Sequence, residues 1–127
     1  MFWKQKIGNQ GESLAVQFLR KNGAKIVEKS YRCKAGEIDI IARVKKQLCF
    51  IEVKTRNSEL FGRPEESVDA KKQKQMAKTA LWYLQSKKSK DTACRFDVIS
   101  IQQNGHDDEP EIRWIQNAFE LNPWFRY

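Results

Sequence analysis

Residues 36–56 alternate apolar and polar side chains in the way that predicts a β-hairpin. Two apolar runs, residues 38–44 and 48–55, flank the pair Lys45-Lys46. Runs of this length separated by two residues are typical of two antiparallel strands joined by a tight turn. Because successive side chains of a strand point to opposite faces, the position of the turn decides which polar residues share a face.

A two-residue turn would pair Val44 with Gln47, and counting back from that pair puts Asp39 opposite Glu52. Carboxylates ~5 Å apart repel by ~3 kcal/mol at an effective dielectric of ~20, and by ~1 kcal/mol in water. A divalent cation such as Mg²⁺ would turn that repulsion into attraction. Lys54 lies on the same face as Glu52, so two carboxylates and a lysine would form a centre suited to phosphodiester hydrolysis.

A plainer interpretation is a hairpin with one buried face and one solvated face. A pairing of Glu37 with Lys54 suits such a solvated surface, whereas Asp39 opposite Glu52 does not. The buried face would consist of Ile38, Ile40, Ala42, Ile51 and Val53. Lys-Lys is also weak turn chemistry, so the hairpin by itself leaves both interpretations open.

Helical periodicity predicts helices at residues 6–22 and 64–85, the second starting at Pro64. Its apolar face would consist of Ala77, Ala80, Leu81 and Leu84. Further strands are predicted at residues 25–32, 93–101 and 112–115. The order α-β-β-β-α-β-β predicts a mixed sheet flanked by helices, in one domain that spans residues 1–127.

Composition narrows the class of protein. The 127-residue chain carries 24 Lys and Arg against 16 Asp and Glu, a formal net charge of +8, which favours nucleic acid as a partner over a membrane. The three cysteines lack the spacing of a zinc site or a disulfide framework, which indicates a reducing compartment. We therefore expect a cytoplasmic protein without membrane spans.

Several charged residues have two interpretations. Lys71, Lys74 and Lys78 form a basic stripe on the second helix, either a solvated surface or a set of phosphate contacts. Arg95 and Asp97 share a strand face and predict a structural ion pair. Glu12, by helical position alone, is a solvated residue, and His106 is predicted to be an exposed loop residue without a catalytic or ligand role.

The motifs GEIDII, FIEVKTR, FGRPEESV, RFDVI and NAF occur in this order between Gly36 and Phe119. This ordered set resembles the YraN-like family of uncharacterised bacterial proteins, which is similar to the PD-(D/E)xK nuclease superfamily and to archaeal Holliday junction resolvases. The resemblance implies a restriction-endonuclease-like α/β fold with an αβββαβ core. Ile38 stands where the nominal motif has proline.

Carried over by position, the resemblance implies that Asp39, Glu52 and Lys54 are the catalytic residues. It implies that Glu12, Asp39, Glu52 and the carbonyl of Val53 hold Mg²⁺ or Mn²⁺. Lys54 would position the attacking water or stabilise the charge that develops on the phosphate. Glu12 is thereby assigned a metal-binding role that its helical position does not indicate.

The function expected from these residues is a Mg²⁺-dependent endonuclease that acts on DNA rather than RNA, with branched DNA as one substrate. A non-catalytic nucleic-acid-binding module with the same fold is the alternative, and a structural interaction protein is a third. Because resolvase-like relatives act as dimers, a homodimer is a further expectation.

Overall fold

The described part of the chain forms a five-stranded sheet with two helices, which confirms the predicted α/β class with an arrangement consistent with an αβββαβ core. The computed structural model describes residues 2–56, 68–88, 93–103 and 109–120. The elements are α1 (Phe2–Lys21), β1 (Lys25–Cys33), β2 (Gly36–Val44), β3 (Gln47–Arg56), α2 (Ala70–Ser86), β4 (Cys94–Gln102) and β5 (Glu111–Phe119). His106 and Pro64 lie outside the described residues.

The sheet has the strand order β1-β2-β3-β4-β5. Only β3 and β4 pair in parallel among the described strands, so the sheet is mixed, and α2 makes the crossover between them. In the hairpin, Val44 pairs with Gln47, which confirms the register predicted from a two-residue turn. Lys45 takes a φ of 56°, the left-handed conformation that tight hairpin turns need.

Apolar clusters cover both faces of the sheet. On one face, α1 packs through Ala15 and Leu19 onto a cluster that includes Ile40 and Ile51. On the other, α2 packs through Met76 onto a separate cluster. The members of this second cluster on the two hairpin strands are Ile38, Ile41, Leu48 and Phe50. A hairpin with one fully solvated face is therefore wrong, because α2 covers the face that carries Ile41 and Phe50.

The helix α2 begins later than predicted. Its N-cap is Asp69, whose backbone is extended and whose carboxylate accepts the Lys72 N–H at 2.8 Å. A continuous helix from residue 64 is therefore wrong. The buried face also differs from the predicted one, since Leu81 is 36% exposed whereas Tyr83 is buried.

Two smaller predictions can be compared with the fold. The last strand, β5, is longer than residues 112–115, because it continues to Phe119. Its extension past the predicted end stacks the ring of Phe119 on that of Phe96 with centroids 4.8 Å apart. None of the three cysteines forms a disulfide.

Candidate active site

The candidate site lies where the backbone pairing of β2 with β3 ends. The last backbone pair of this ladder is Ile40 with Ile51. One position further along, the Asp39 carboxylate takes the place of a backbone acceptor, and its Oδ2 accepts the Val53 N–H at 2.8 Å. The side chain of Asp39 is thus fixed between two strands, next to the position of Glu52.

The regular alternation of β2 breaks at Asp39. Ile38 and Ile41 both belong to the cluster under α2, although residues three apart on an ideal strand face opposite sides. The neighbouring strand is distorted at the same level, because the β1–β2 register puts Ser30 beside Asp39 and Ser30 has a φ of 50°. The distortion therefore lets Asp39 lie between Ile38 and Ile40, which belong to different core clusters.

Burial and like charge both act on Asp39. Desolvation raises its pKa from 3.8 to about 7, and the neighbouring carboxylate of Glu52 contributes next. Glu12 and Glu37 act in the same direction, whereas the hydrogen bond from Val53 lowers the pKa. The carboxylate is therefore held near other negative groups that it would repel when ionised.

Glu52 is 7% exposed and lies between two lysines. Lys54 Nζ is 3.6 Å from its Oε1, since residues two apart on a strand share a face. Lys72 Nζ, from the first turn of α2, is 3.6 Å from its Oε2. The predicted proximity of Glu52 and Lys54 is present, and Lys72 is a site residue that the sequence analysis missed.

Glu12 reaches the site from α1. Its Oε1 accepts a hydrogen bond from the Ser30 hydroxyl at 3.0 Å, which places it beside β1 at the level of Asp39. The preceding Gly11 permits this approach, because a Cβ atom there would lie 2.5 Å from Thr55 Oγ1 on β3. The helix can therefore pack closely on the sheet and present Glu12 towards Asp39.

Some predicted residues lie elsewhere. Lys71, Lys74 and Lys78 are exposed along α2. Successive residues of a helix are turned by about 100°, so this stripe faces a different direction from Lys72. Glu37 forms an ion pair with Arg32 on β1 at 3.4 Å, in place of the pairing with Lys54 that the hairpin alone suggested.

The donor set suits a hard divalent cation. Asp39, Glu52 and Glu12 offer only carboxylate oxygens, the ligands that Mg²⁺ and Mn²⁺ prefer. A cation near Asp39 would offset the repulsion that raises its pKa. Within the described ranges, no three carboxylate, histidine or cysteine side chains lie close enough together to hold a metal ion as they stand. Each of the three carboxylates instead has a protein partner. Asp39 accepts from a backbone N–H, Glu52 pairs with two lysines, and Glu12 accepts from a serine hydroxyl.

Comparison with known proteins gives the family. Residues 11–101 match the uncharacterised protein family UPF0102. A UPF0102 protein of Geobacter metallireducens is 47% identical over 117 residues, which cover 92% of this chain and 94% of the relative. A UPF0102 protein of Geotalea daltonii is 50% identical over 91% of this chain and 90% of the relative, and one of Caldicellulosiruptor saccharolyticus is 41% identical over 91% and 98%.

The chain therefore belongs to the UPF0102 family, which confirms the resemblance to YraN-like proteins. The match includes the three carboxylates, both lysines at Glu52 and most of the sheet, since it runs from Gly11 in α1 to Ile101 in β4. Neither of the described helices is long and apolar enough to span a membrane.

Proposed function

We propose that this protein is a Mg²⁺- or Mn²⁺-dependent endonuclease that hydrolyses phosphodiester bonds in DNA, with branched DNA as a substrate. The observation that supports this most is a pair of neighbouring carboxylates, of which Glu52 is buried and Asp39 is partly buried. Asp39 is kept beside Glu52 despite a pKa raised to about 7, and Lys54 lies 3.6 Å from Glu52. Strongly perturbed carboxylates that share a site with a lysine are typical of catalytic centres.

Asp39, Glu52 and Glu12 would hold the cation together with the carbonyl of Val53. When bound, the cation would neutralise phosphate charge and lower the pKa of a bound water. The protein's own contribution is orientation. The Val53 N–H fixes the carboxylate of Asp39, and Glu52 holds the ammonium of Lys54 beside the reacting phosphate, where it would stabilise developing negative charge.

Binding would rely on the net charge of +8. The exposed Lys71, Lys74 and Lys78 would contact backbone phosphates, which carry no sequence information by themselves. This arrangement favours recognition of DNA shape over recognition of base sequence.

The decisive experiment replaces the lysine of the site. Lys54→Ala should cut the rate of cleavage by ~10²-fold or more, since it removes one preorganised electrostatic group. Glu52→Gln should abolish cleavage. The measurement is cleavage of branched and flapped DNA in Mg²⁺ or Mn²⁺, with EDTA as the metal-free reference.

Lys72→Ala is the matched control, because Lys72 contacts the same carboxylate at the same distance of 3.6 Å. A smaller effect than that of Lys54→Ala would separate a group that acts on substrate from one that orients Glu52. Cleavage at the wild-type rate in Lys54→Ala would contradict the assigned site.

One observation favours a second candidate, a non-catalytic nucleic-acid-binding module. Glu52 has two lysine partners, so its charge is balanced without a cation. Under this alternative, the wild-type protein binds DNA with the salt dependence of phosphate contacts but cleaves neither DNA nor RNA at any metal concentration.

A further inference from the structure

A groove of about 420 Å³ lies between α1 and β1, beside the carboxylate of Glu12. The residues that give it its chemistry are Glu12, Ser13, Gln17, Arg20, Lys29 and Ser30. A volume of this size suits a small organic group, since ligand sites commonly measure about 300–1,000 Å³. The groove is therefore large enough for part of a nucleic-acid strand.

The shape of the groove depends on the distorted strand. Lys29 and Ser30 are adjacent in β1, and on a regular strand they would face opposite sides. Both line the groove, and Ser30 has a φ of 50°, which is uncommon for any residue other than glycine. Backbone distortion of this kind concentrates at functional sites, because it must be stabilised by the surrounding structure.

The charges change sign along the groove. Glu12 lies at the end next to Asp39, whereas Arg20 lies eight residues further along α1, or ~12 Å at 1.5 Å per residue. Arg20 and Lys29 are both exposed cations. Ser13 and Gln17, from the same face of α1, supply neutral hydrogen-bonding groups. The end away from the carboxylates is thus suited to an anion and the near end to a cation.

We propose that this groove binds the DNA strand on one side of the scissile phosphate, with Arg20 and Lys29 on a phosphate a few nucleotides away. The inference rests on the proposed function, since it assigns the direction in which the strand leaves the carboxylates. A distance of about 12 Å along the axis of a duplex corresponds to about three to four base-pair steps at 3.4 Å each. The strand would therefore pass between α1 and β1.

The first test measures binding without catalysis. A labelled flapped DNA is titrated in EDTA over a series of salt concentrations, with wild type and the double variant Arg20→Ala/Lys29→Ala. The double variant should flatten the slope of log affinity against log salt by roughly 2 units, because each lost phosphate contact removes about 0.9. Lys25→Ala/Lys46→Ala is the charge-matched control and should change the slope less, because both lysines are exposed and lie at the end of the sheet that carries the hairpin turn, Lys25 beside Arg43.

The second test leaves the net charge unchanged. Gln17→Trp would fill the groove from the exposed surface of α1 and should weaken DNA binding. Gln85→Trp, an exposed glutamine near the end of α2, is the matched control and should bind as wild type does. Circular dichroism confirms that each variant folds.

The outcomes separate this inference from the proposed function. Weaker binding in both groove variants supports the groove, even if wild type cleaves nothing and the nuclease proposal fails. Binding equal to that of the controls overturns the groove, even if wild type cleaves DNA in Mg²⁺. Absence of DNA binding by wild type overturns both.

Discussion

Asp97 and Asp39 are two aspartates of the same sheet, the first buried and the second partly buried, with opposite surroundings. Asp97, on β4, is 0% exposed and its oxygens are satisfied from three directions. Arg95 Nε donates to it at 3.0 Å, and Trp114 Nε1 and the Asn117 N–H each donate at 2.9 Å. The guanidinium also donates to Gln47 at 3.0 Å, so the carboxylate and its counter-ion are built into the fold.

Asp39 lacks such support. It accepts a hydrogen bond from the Val53 N–H, and the charged groups that act on its pKa are the carboxylates of Glu52, Glu12 and Glu37. Burial therefore raises the pKa of Asp39, and the neighbouring carboxylates raise it further.

The difference separates a structural carboxylate from a functional one. A buried charge is costly unless it is paired and hydrogen-bonded, a condition that Asp97 meets and Asp39 does not. Proteins keep such destabilising arrangements mainly at functional sites, where the function requires them. Removing the charge of Asp39 should therefore raise the free energy of unfolding, whereas removing the charge of Asp97 should lower it.

The largest expected effect is at Asp97. Asp97→Ala would leave the Arg95 charge buried and unpaired, and should lower the free energy of unfolding by ~3–5 kcal/mol. Urea denaturation measures it. Glu37→Ala is the control, since Glu37 and Arg32 form an exposed pair at 3.4 Å, for which at most ~1 kcal/mol is expected. An equal cost in the two variants would remove the distinction between a structural and an incidental ion pair.

The next effect has the opposite sign. Asp39→Asn keeps an acceptor for the Val53 N–H but removes the charge, so at pH 8 it should raise the free energy of unfolding by ~1–3 kcal/mol, the repulsion of two carboxylates ~5 Å apart. The variant should also lose stabilisation by Mn²⁺ or Mg²⁺. Such stabilisation amounts to about 2.7 kcal/mol at 100 times the dissociation constant.

Thermal melts with and without metal measure both effects. Asp69→Asn serves as a control, because Asp69 is a helix cap distant in sequence from the hairpin, and asparagine caps nearly as well as aspartate. A loss of apo stability in Asp39→Asn would show that Asp39 is a structural partner like Asp97, and the comparison would fail.

Sequence alone predicts those parts of the site that depend on local spacing. The turn at Lys45-Lys46 gives the register as far as Ile40 with Ile51, and one position further Asp39 is close enough to Glu52 for its charge to act on the Asp39 carboxylate. The Arg95–Asp97 pair is confirmed at 3.0 Å, since two residues on one strand face are neighbours in any fold. Both predictions need only the period of a strand.

Features that depend on packing between elements could not be predicted in this way. Lys72 lies four residues before the buried Met76, so its helical phase held a signal. The predicted apolar face contains Leu81 in place of Tyr83, and this error in helical phase conceals that Lys72 lies on the side of α2 that faces the sheet. The left-handed conformation of Ser30 has no mark in the sequence, since it depends on how β1 meets β2 and α1. The Asp97 partners Trp114 and Asn117 come from another strand.

The last effect is one of slope, because the stability of wild type should depend on pH in a way that the stability of Asp39→Asn does not. The folded-state pKa of Asp39 is raised from 3.8 to about 7, so between these values the native state binds more protons than the unfolded state. Stability from this group is full below pH ~4 and is lost as the pH rises through 7, at up to ~1.4 kcal/mol per pH unit. Urea denaturation from pH 4 to 8 in EDTA should show that fall in wild type relative to Asp39→Asn. A parallel pair of curves would mean that Asp39 titrates normally, and Asp39 and Asp97 would then differ only in their number of hydrogen bonds.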